Sequence, residues 1–220
     1  MRLVLIRHGQ TAANCYAALD TRLPGLPLTE TGCEQAASLC ERFPVEVGPR
    51  LDAVAVSAMM RTRQTAEPLC KQFSIVPRVT SQIREISAGD LEMASDPVAI
   101  RRYVEACYAW MNADFAHRMP GGENGFEFCA RVFPVLRDVM EYAYLRGENE
   151  AVGALVAHGG LIRVLSALLS EDIRLHIPTT QFMSNTGMAV FRVDIDEIRA
   201  LSVGEIANVK ALRWDGRELS

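Results

Sequence analysis

"LVLIRHGQTAAN", residues 3–14, opens with four aliphatic residues and then breaks into a cation, an imidazole and a glycine. A short unbroken apolar run reads as a strand buried on both faces, as in the interior of a parallel sheet. Two more runs of this kind occur, "AVAV" at 53–56 and "ALVA" at 154–157. All three end in chemically capable residues: Arg7 and His8 after the first, Ser57 with Arg61 and Arg63 after the second, and "HGG" at 158–160 after the third. Helical patterns follow each run, and this alternation predicts an α/β domain with a mostly parallel sheet.

The first helix is expected in "LTETGCEQAASLCERF", with Thr29 as cap, Leu28 as staple, and Cys33, Ala36, Ala37, Cys40 and Phe43 on its buried stripe. Arg61 to Phe73 presents Ala66, Leu69, Cys70 and Phe73 on one face, and "LIRVLSALLS" at 161–170 is apolar nearly all round. Between them, Asp96 and Pro97 open a helix over 97–114 that should bury Val104, Cys107, Tyr108 and Met111, with Trp110 in the core. Another helix is expected from about 123 to 146, kinked at Pro134. "TGMAVFRVD" and "IRALSVGE" read as two further strands, paired antiparallel at an edge.

A chain of 220 residues, 49% hydrophobic and without a Pro/Gly/Ser-rich linker, reads as one domain over 1–220. A formal charge of −4 gives no whole-molecule attraction to nucleic acid or to an anionic membrane, so an anion must be recognised by a local cluster of arginines. No stretch approaches the roughly 18 apolar residues of a membrane span. Arg2 and Arg7 leave no room for a secretion-signal core, so a soluble, cytoplasmic protein is expected. The six cysteines stand singly, without metal spacing, and read as buried thiols.

Strand ends in an open parallel sheet share one edge, so residues 150 apart in sequence can meet there. One histidine after a strand is usually structural, and one arginine at a helix start is usually solvated. Two histidines and two arginines at the same edge, with Gly9, Gly159 and Gly160 allowing close backbone approach, make a site for a small dianion, phosphate foremost. Arg63 and Arg84 read as solvated charges, and His117 and His176 as structural or exposed.

"RHGQT" at 7–11, "SAMMRTRQTA" at 57–66, "REISAGD" at 84–90 and "VAHGGLIR" at 156–163, with "PLTETGCEQA" and "PGGEN" in the gaps, resemble in order and spacing the histidine phosphatase superfamily, the phosphoglycerate mutase-like proteins. The resemblance spans nearly the whole chain and implies a three-layer α/β/α sandwich. By the same resemblance, His8 is the nucleophile that forms a phosphohistidine, and Arg7, Arg61 and His158 make the phosphate pocket. Glu85 then protonates the leaving oxygen and activates water, while Gln10, Thr11, Asn14 and the backbone near Gly159 contact the phosphoryl group or its ester. This chemistry needs no metal and no cofactor, and no zinc, calcium or Walker motif is present.

The implied substrate is a small organic phosphate, chosen by loops over 15–27 and by a helical lid over 90–125. Arg22 is a candidate second anion contact in the first of these. The lid's Arg101, Arg102, Tyr103, Tyr108, Trp110, His117 and Arg118 would suit a polar or carboxylate-bearing body. The family's mutases carry an aromatic, glycine-rich segment after the first motif and a long glycine-rich block after the catalytic glutamate. Here those gaps read "CYAALDTRLPGLPLTE" and "ISAGDLEMASD", with Leu91 and Met93 where Trp and Gly are frequent. Release of phosphate to water is therefore favoured over mutase transfer. The same fold could also serve a protein phosphohistidine phosphatase or a non-catalytic binding module, and apolar helix faces would suit a core or a homodimer equally well.

Overall fold

In the computed structural model, which describes residues 1–178 and 181–219, the opening apolar run becomes β1 (Arg2–Arg7), followed by a single helical turn, α1 (Ala12–Cys15). The Thr29 hydroxyl accepts from Gly32 N at 3.0 Å and caps α2 (Glu30–Glu46). Next come β2 (Ala53–Ser57), α3 (Met60–Gln72) and the short β3 (Arg78–Thr80). Asp96 accepts from Val98 N and Ala99 N, both at 3.0 Å, to start α4 (Pro97–Met111), with Pro97 where a missing N–H costs nothing. A capping box of Asn124 and Glu127 starts α5 (Gly125–Gly147), which contains Pro134 and continues past it. The rest is β4 (Val152–Ala157), α6 (Gly159–Leu169), α7 (Glu171–His176), β5 (Met188–Arg192), α8 (Ile195–Ala200), β6 (Lys210–Trp214) and β7 (Arg217–Glu218).

The strands form one sheet in the order β3-β2-β4-β1-β5-β6-β7. β3, β2, β4 and β1 are mutually parallel, and β5, β6 and β7 extend the sheet antiparallel, each to its predecessor in that order. Register sets Arg7 beside Ala157 and Ser57 beside Thr80, so the carboxyl ends of all four parallel strands lie on one edge. Side chains alternate across the sheet. Leu3, Leu5, Ala55 and Leu155 pack with Trp110 of α4, Phe128 and Leu136 of α5 and Leu165 of α6. Val4, Ile6, Val54 and Val156 pack with Leu39 and Phe43 of α2 and Leu69 of α3. Two apolar layers, one on each face, make the three-layer α/β/α sandwich.

Four expectations need correction. On α2 the expected Ala36 and Phe43 are buried, but Gly32 and Leu39 complete the stripe in place of Cys33, Ala37 and Cys40, and Cys33 is exposed. Cys15 is exposed as well, so the buried-thiol reading holds for Cys70, Cys107 and Cys129 only; burial pushes the Cys70 and Cys129 thiols up to about 11. On α4, Tyr108 is half exposed, and Tyr103, Ala106 and Trp110 take the buried face with Cys107 and Met111. "IRALSVGE" contributes no strand: its first residues belong to α8, capped by Asp194 with Glu197, and the antiparallel partner of β5 is β6. β5 itself is interior, between β1 and β6. No helix among the described residues is long and apolar enough to cross a membrane.

Candidate active site

His8 leaves the end of β1 with its backbone N donating to Ala157 O at 3.1 Å, and its ring is almost wholly buried. Nδ1 lies 2.7 Å from Gly9 O. A carbonyl only accepts, so Nδ1 carries the proton and the lone pair is on Nε2. Burial first, then the charges of Arg61 and Arg7, hold this imidazole well below its ordinary value of 6.5, so the ring is neutral. The loop can turn here because Gly9 lies against the first turn of α2, where a Cβ would sit 2.5 Å from Gly32 O. Thr65 of α3 fixes the same point by accepting from Gly9 N at 2.9 Å.

His158 follows β4 at the matching place, its ring centroid 5.3 Å from that of His8. Its Nε2 lies 2.8 Å from the Ser57 hydroxyl at the end of β2. Burial, then the Arg61 charge and His8, keep it neutral also. Arg61, buried in the first turn of α3, donates from Nη2 to Asp20 O at 2.8 Å and from Nη1 to Asp20 Oδ2 at 3.2 Å. Arg7 Nη1 donates to Met183 O. Arg7 Nε, Arg61 Nε and His158 Nδ1 are buried and find no acceptor among the described residues. Two unpartnered arginine N–H groups and the unpartnered His158 Nδ1 around a neutral imidazole suit an anion with several oxygens.

Glu85 lines the same cleft. Its carboxylate accepts from Gly160 N at 2.9 Å and Leu161 N at 2.8 Å in the first turn of α6, and from Ile86 N at 2.9 Å. A Cβ at Gly160 would meet Tyr103 Oη at 2.5 Å and Glu85 Oε1 at 3.0 Å, so only glycine lets these groups close on the turn. The segment that carries Glu85 is held from both sides. Arg131 donates to Gln82 O at 2.6 Å and Arg84 O at 3.0 Å, and Glu123 accepts from Ser87 N at 3.2 Å. The two clamping residues pair with each other through two bonds of 2.7 Å, both buried.

The family model for the histidine phosphatase superfamily (branch 1) matches residues 3–206. The chain belongs to that superfamily. An adenosylcobalamin/alpha-ribazole phosphatase of Escherichia coli is 31% identical over 77% of this chain and 79% of its own length. A glucosyl-3-phosphoglycerate phosphatase of Mycobacterium tuberculosis is 31% identical over 85% and 81%, and a 2,3-bisphosphoglycerate-dependent phosphoglycerate mutase of Rhizobium etli is 29% identical over 94% and 96%. The solved structure of a mycobacterial glucosyl-3-phosphoglycerate phosphatase superposes with a TM-score of 0.71 at 26% identity, covering 97% of this chain and 98% of that one.

In this histidine phosphatase the cleft, about 380 Å³, gathers Arg7, His8, Thr11, Asn14, Arg61, Glu85 and Gly159, with the fully buried His158 behind them. Gln10 is not among its lining residues: its side-chain oxygen accepts from Thr29 Oγ1 at 3.0 Å and so ties the loop to α2. Arg22 is exposed and reaches Gly89 O at 3.4 Å, outside the lining. Of the residues expected to contact a substrate body from 90–125, only Tyr103 lines the cleft. Arg101, Arg102, Tyr108, His117 and Arg118 are exposed elsewhere, and Trp110 is core. A larger groove of about 760 Å³ between α3 and β3 has no histidine in its lining.

Sequence reading missed several residues of this phosphatase. Asp20 pairs with Arg61 across 41 positions of sequence, and Asn185 Nδ2 donates to His8 O at 3.0 Å and Asn14 Oδ1 at 3.1 Å. No local pattern announces either. Glu123 was visible in "PGGEN" without a role, and Arg131 had one faint signal, a cation on the apolar face of α5.

Proposed function

We propose that this histidine phosphatase is a phosphomonoesterase for a small organic phosphate, working through a phosphohistidine on His8 with Glu85 as general acid and base, without a metal ion. The observation that supports it most directly is the neutral His8 ring, whose Nδ1 proton is engaged by Gly9 O. Nε2 is left as a lone pair beside Arg7, Arg61 and His158. In the first step Nε2 bonds to phosphorus, the ester P–O bond breaks, and the Glu85 proton goes to the leaving oxygen. Donors from Arg7, Arg61 and His158 meet the charge on the three non-bridging oxygens. Water then bonds to phosphorus and gives its proton to Glu85, the P–N bond breaks, and inorganic phosphate leaves a neutral His8.

Thr11 and Asn14 form a capping box on α1, with Thr11 N donating to Asn14 Oδ1 at 3.0 Å, and the box sets that turn against the phosphoryl group. The test is phosphate release from an aryl phosphate with excess chelator, run beside His8→Ala. The expected result is turnover that survives the chelator and falls by about a thousandfold or more in the variant. Undiminished turnover in His8→Ala would remove His8 as the nucleophile. Activity lost to the chelator and restored by a divalent ion would remove the metal-free reading.

A further inference from the structure

Past the phosphate end the cleft changes character. The rest of its lining is mainly apolar, with Ala13, Ala17, Leu19, Ile100, Val104 and Phe182 beside the uncharged Thr21, Tyr103 and Asn185. Among the described residues that line it, the only cations are Arg7 and Arg61, and both belong to the phosphate end. The acidic side chains in the lining are Asp20, paired with Arg61, and Glu85, the proton donor proposed above. Asp20 holds Arg61 at 3.2 Å and accepts from Leu26 N at 2.9 Å, so that arginine's charge is already partnered. Arg22, Arg101 and Arg102, the cations nearest in sequence, stand exposed outside the lining. Thr179 and Thr180, outside the described residues, carry no charge.

We propose that this cleft selects a phosphate monoester whose body is uncharged and largely apolar, and rejects bodies that carry a carboxylate or a second phosphate. The inference rests on the phosphomonoesterase reading and adds the substrate class to it. An apolar body takes the alanine, leucine, isoleucine, valine and phenylalanine walls out of water together with its own surface, at about 25 cal/mol per Å². A second anion would lose its hydration against those walls and find no cation to pair with. The nearest cation, Arg61, is already held by Asp20, and selectivity of this kind comes as much from the cost imposed on the wrong body as from attraction to the right one.

The test uses a matched pair, phenyl phosphate and 4-carboxyphenyl phosphate. The added carboxylate makes the phenolate a slightly better leaving group, so chemistry alone favours the ester the cleft should reject. The expected result is a kcat/KM for phenyl phosphate at least about tenfold higher, with the ratio narrowed or inverted in Val104→Lys, which puts a cation in the wall. Affinities of both esters for His8→Ala, measured by calorimetry, should show the same preference without turnover. Equal or better hydrolysis of the carboxylate ester, or a ratio untouched by Val104→Lys, would overturn the substrate class and leave the phosphatase reading standing. If neither ester turned over, the phosphatase reading would fall, and calorimetry would still decide the class. Equal binding, or no binding at millimolar ester, would overturn it.

Discussion

His158 shows how much can depend on one hydroxyl. Its Nδ1 is buried without a partner among the described residues, and its Nε2 faces Ser57 at 2.8 Å. For a neutral ring to donate from Nδ1 to a phosphoryl oxygen, Nε2 must accept, so the Ser57 hydroxyl must be the donor in that bond. Ser57 is thus a positioning residue that acts through His158 by setting its tautomer. Ser57→Ala should lower kcat/KM about tenfold and weaken binding of inorganic phosphate in step. The accompanying loss of stability should stay near that of one unpaired buried nitrogen, about 1–3 kcal/mol in urea unfolding. A phosphate affinity equal to that of the parent protein would show that the hydroxyl has only a packing role.

At the scale of elements, the segment before α4 is positioned by a buried ion pair and not by regular structure. Glu123 and Arg131 bracket Glu85 through Ser87 N on one side and the Gln82 and Arg84 carbonyls on the other. Glu123→Gln leaves the Arg131 charge buried without its partner and should cost about 3–5 kcal/mol. Glu123→Leu with Arg131→Met removes both charges and should cost less. The double variant removes the clamp on Glu85 and Glu123→Gln only loosens it, because Arg131 keeps its bonds to Gln82 O and Arg84 O, so kcat should fall further in the double variant. A double variant that kept full activity would separate the pair from the chemistry. Elements such as β1, β2 and β4 were legible because four adjacent aliphatic residues suffice to mark a buried strand. The face of α2 was legible only at Ala36 and Phe43: Gly32 lies against Gln10, a backbone contact with no apolar signature, and the buried side of the helix passes through Gly32 and Leu39 instead of Cys33 and Cys40. Reading 198–205 as a strand overlooked the capping pair Asp194 and Glu197 and the three-residue spacing of Ile195 and Ile198. Within the site, His8, Arg61 and His158 announced themselves by following strands, whereas Asp20 and Arg131 depend on partners that only the folded chain brings near.

For the molecule as a whole, the carboxyl edge of the sheet encloses two histidines in an interior already occupied by Arg7 and Arg61, and this arrangement couples folding to pH. In the unfolded chain each imidazole takes a proton near its ordinary value of 6.5; in the folded one, burial and the arginines keep both neutral to well below that. Bases with a depressed folded pKa bind fewer protons when folded, so stability is full above the unfolded value and falls as the pH drops through it. The slope approaches 1.36 kcal/mol per pH unit for each histidine. Between pH 7.5 and 5.5 the pair should therefore reduce the unfolding free energy by roughly 2–3 kcal/mol, read from urea titrations across that range. His8→Asn removes one of the two titrating rings and should lose about half of this dependence. An unchanged dependence in the variant would mean that His8 takes up its proton in the folded protein. A nucleophile protonated in that range could not attack phosphorus there, so the same titration also bears on the chemistry proposed for Nε2.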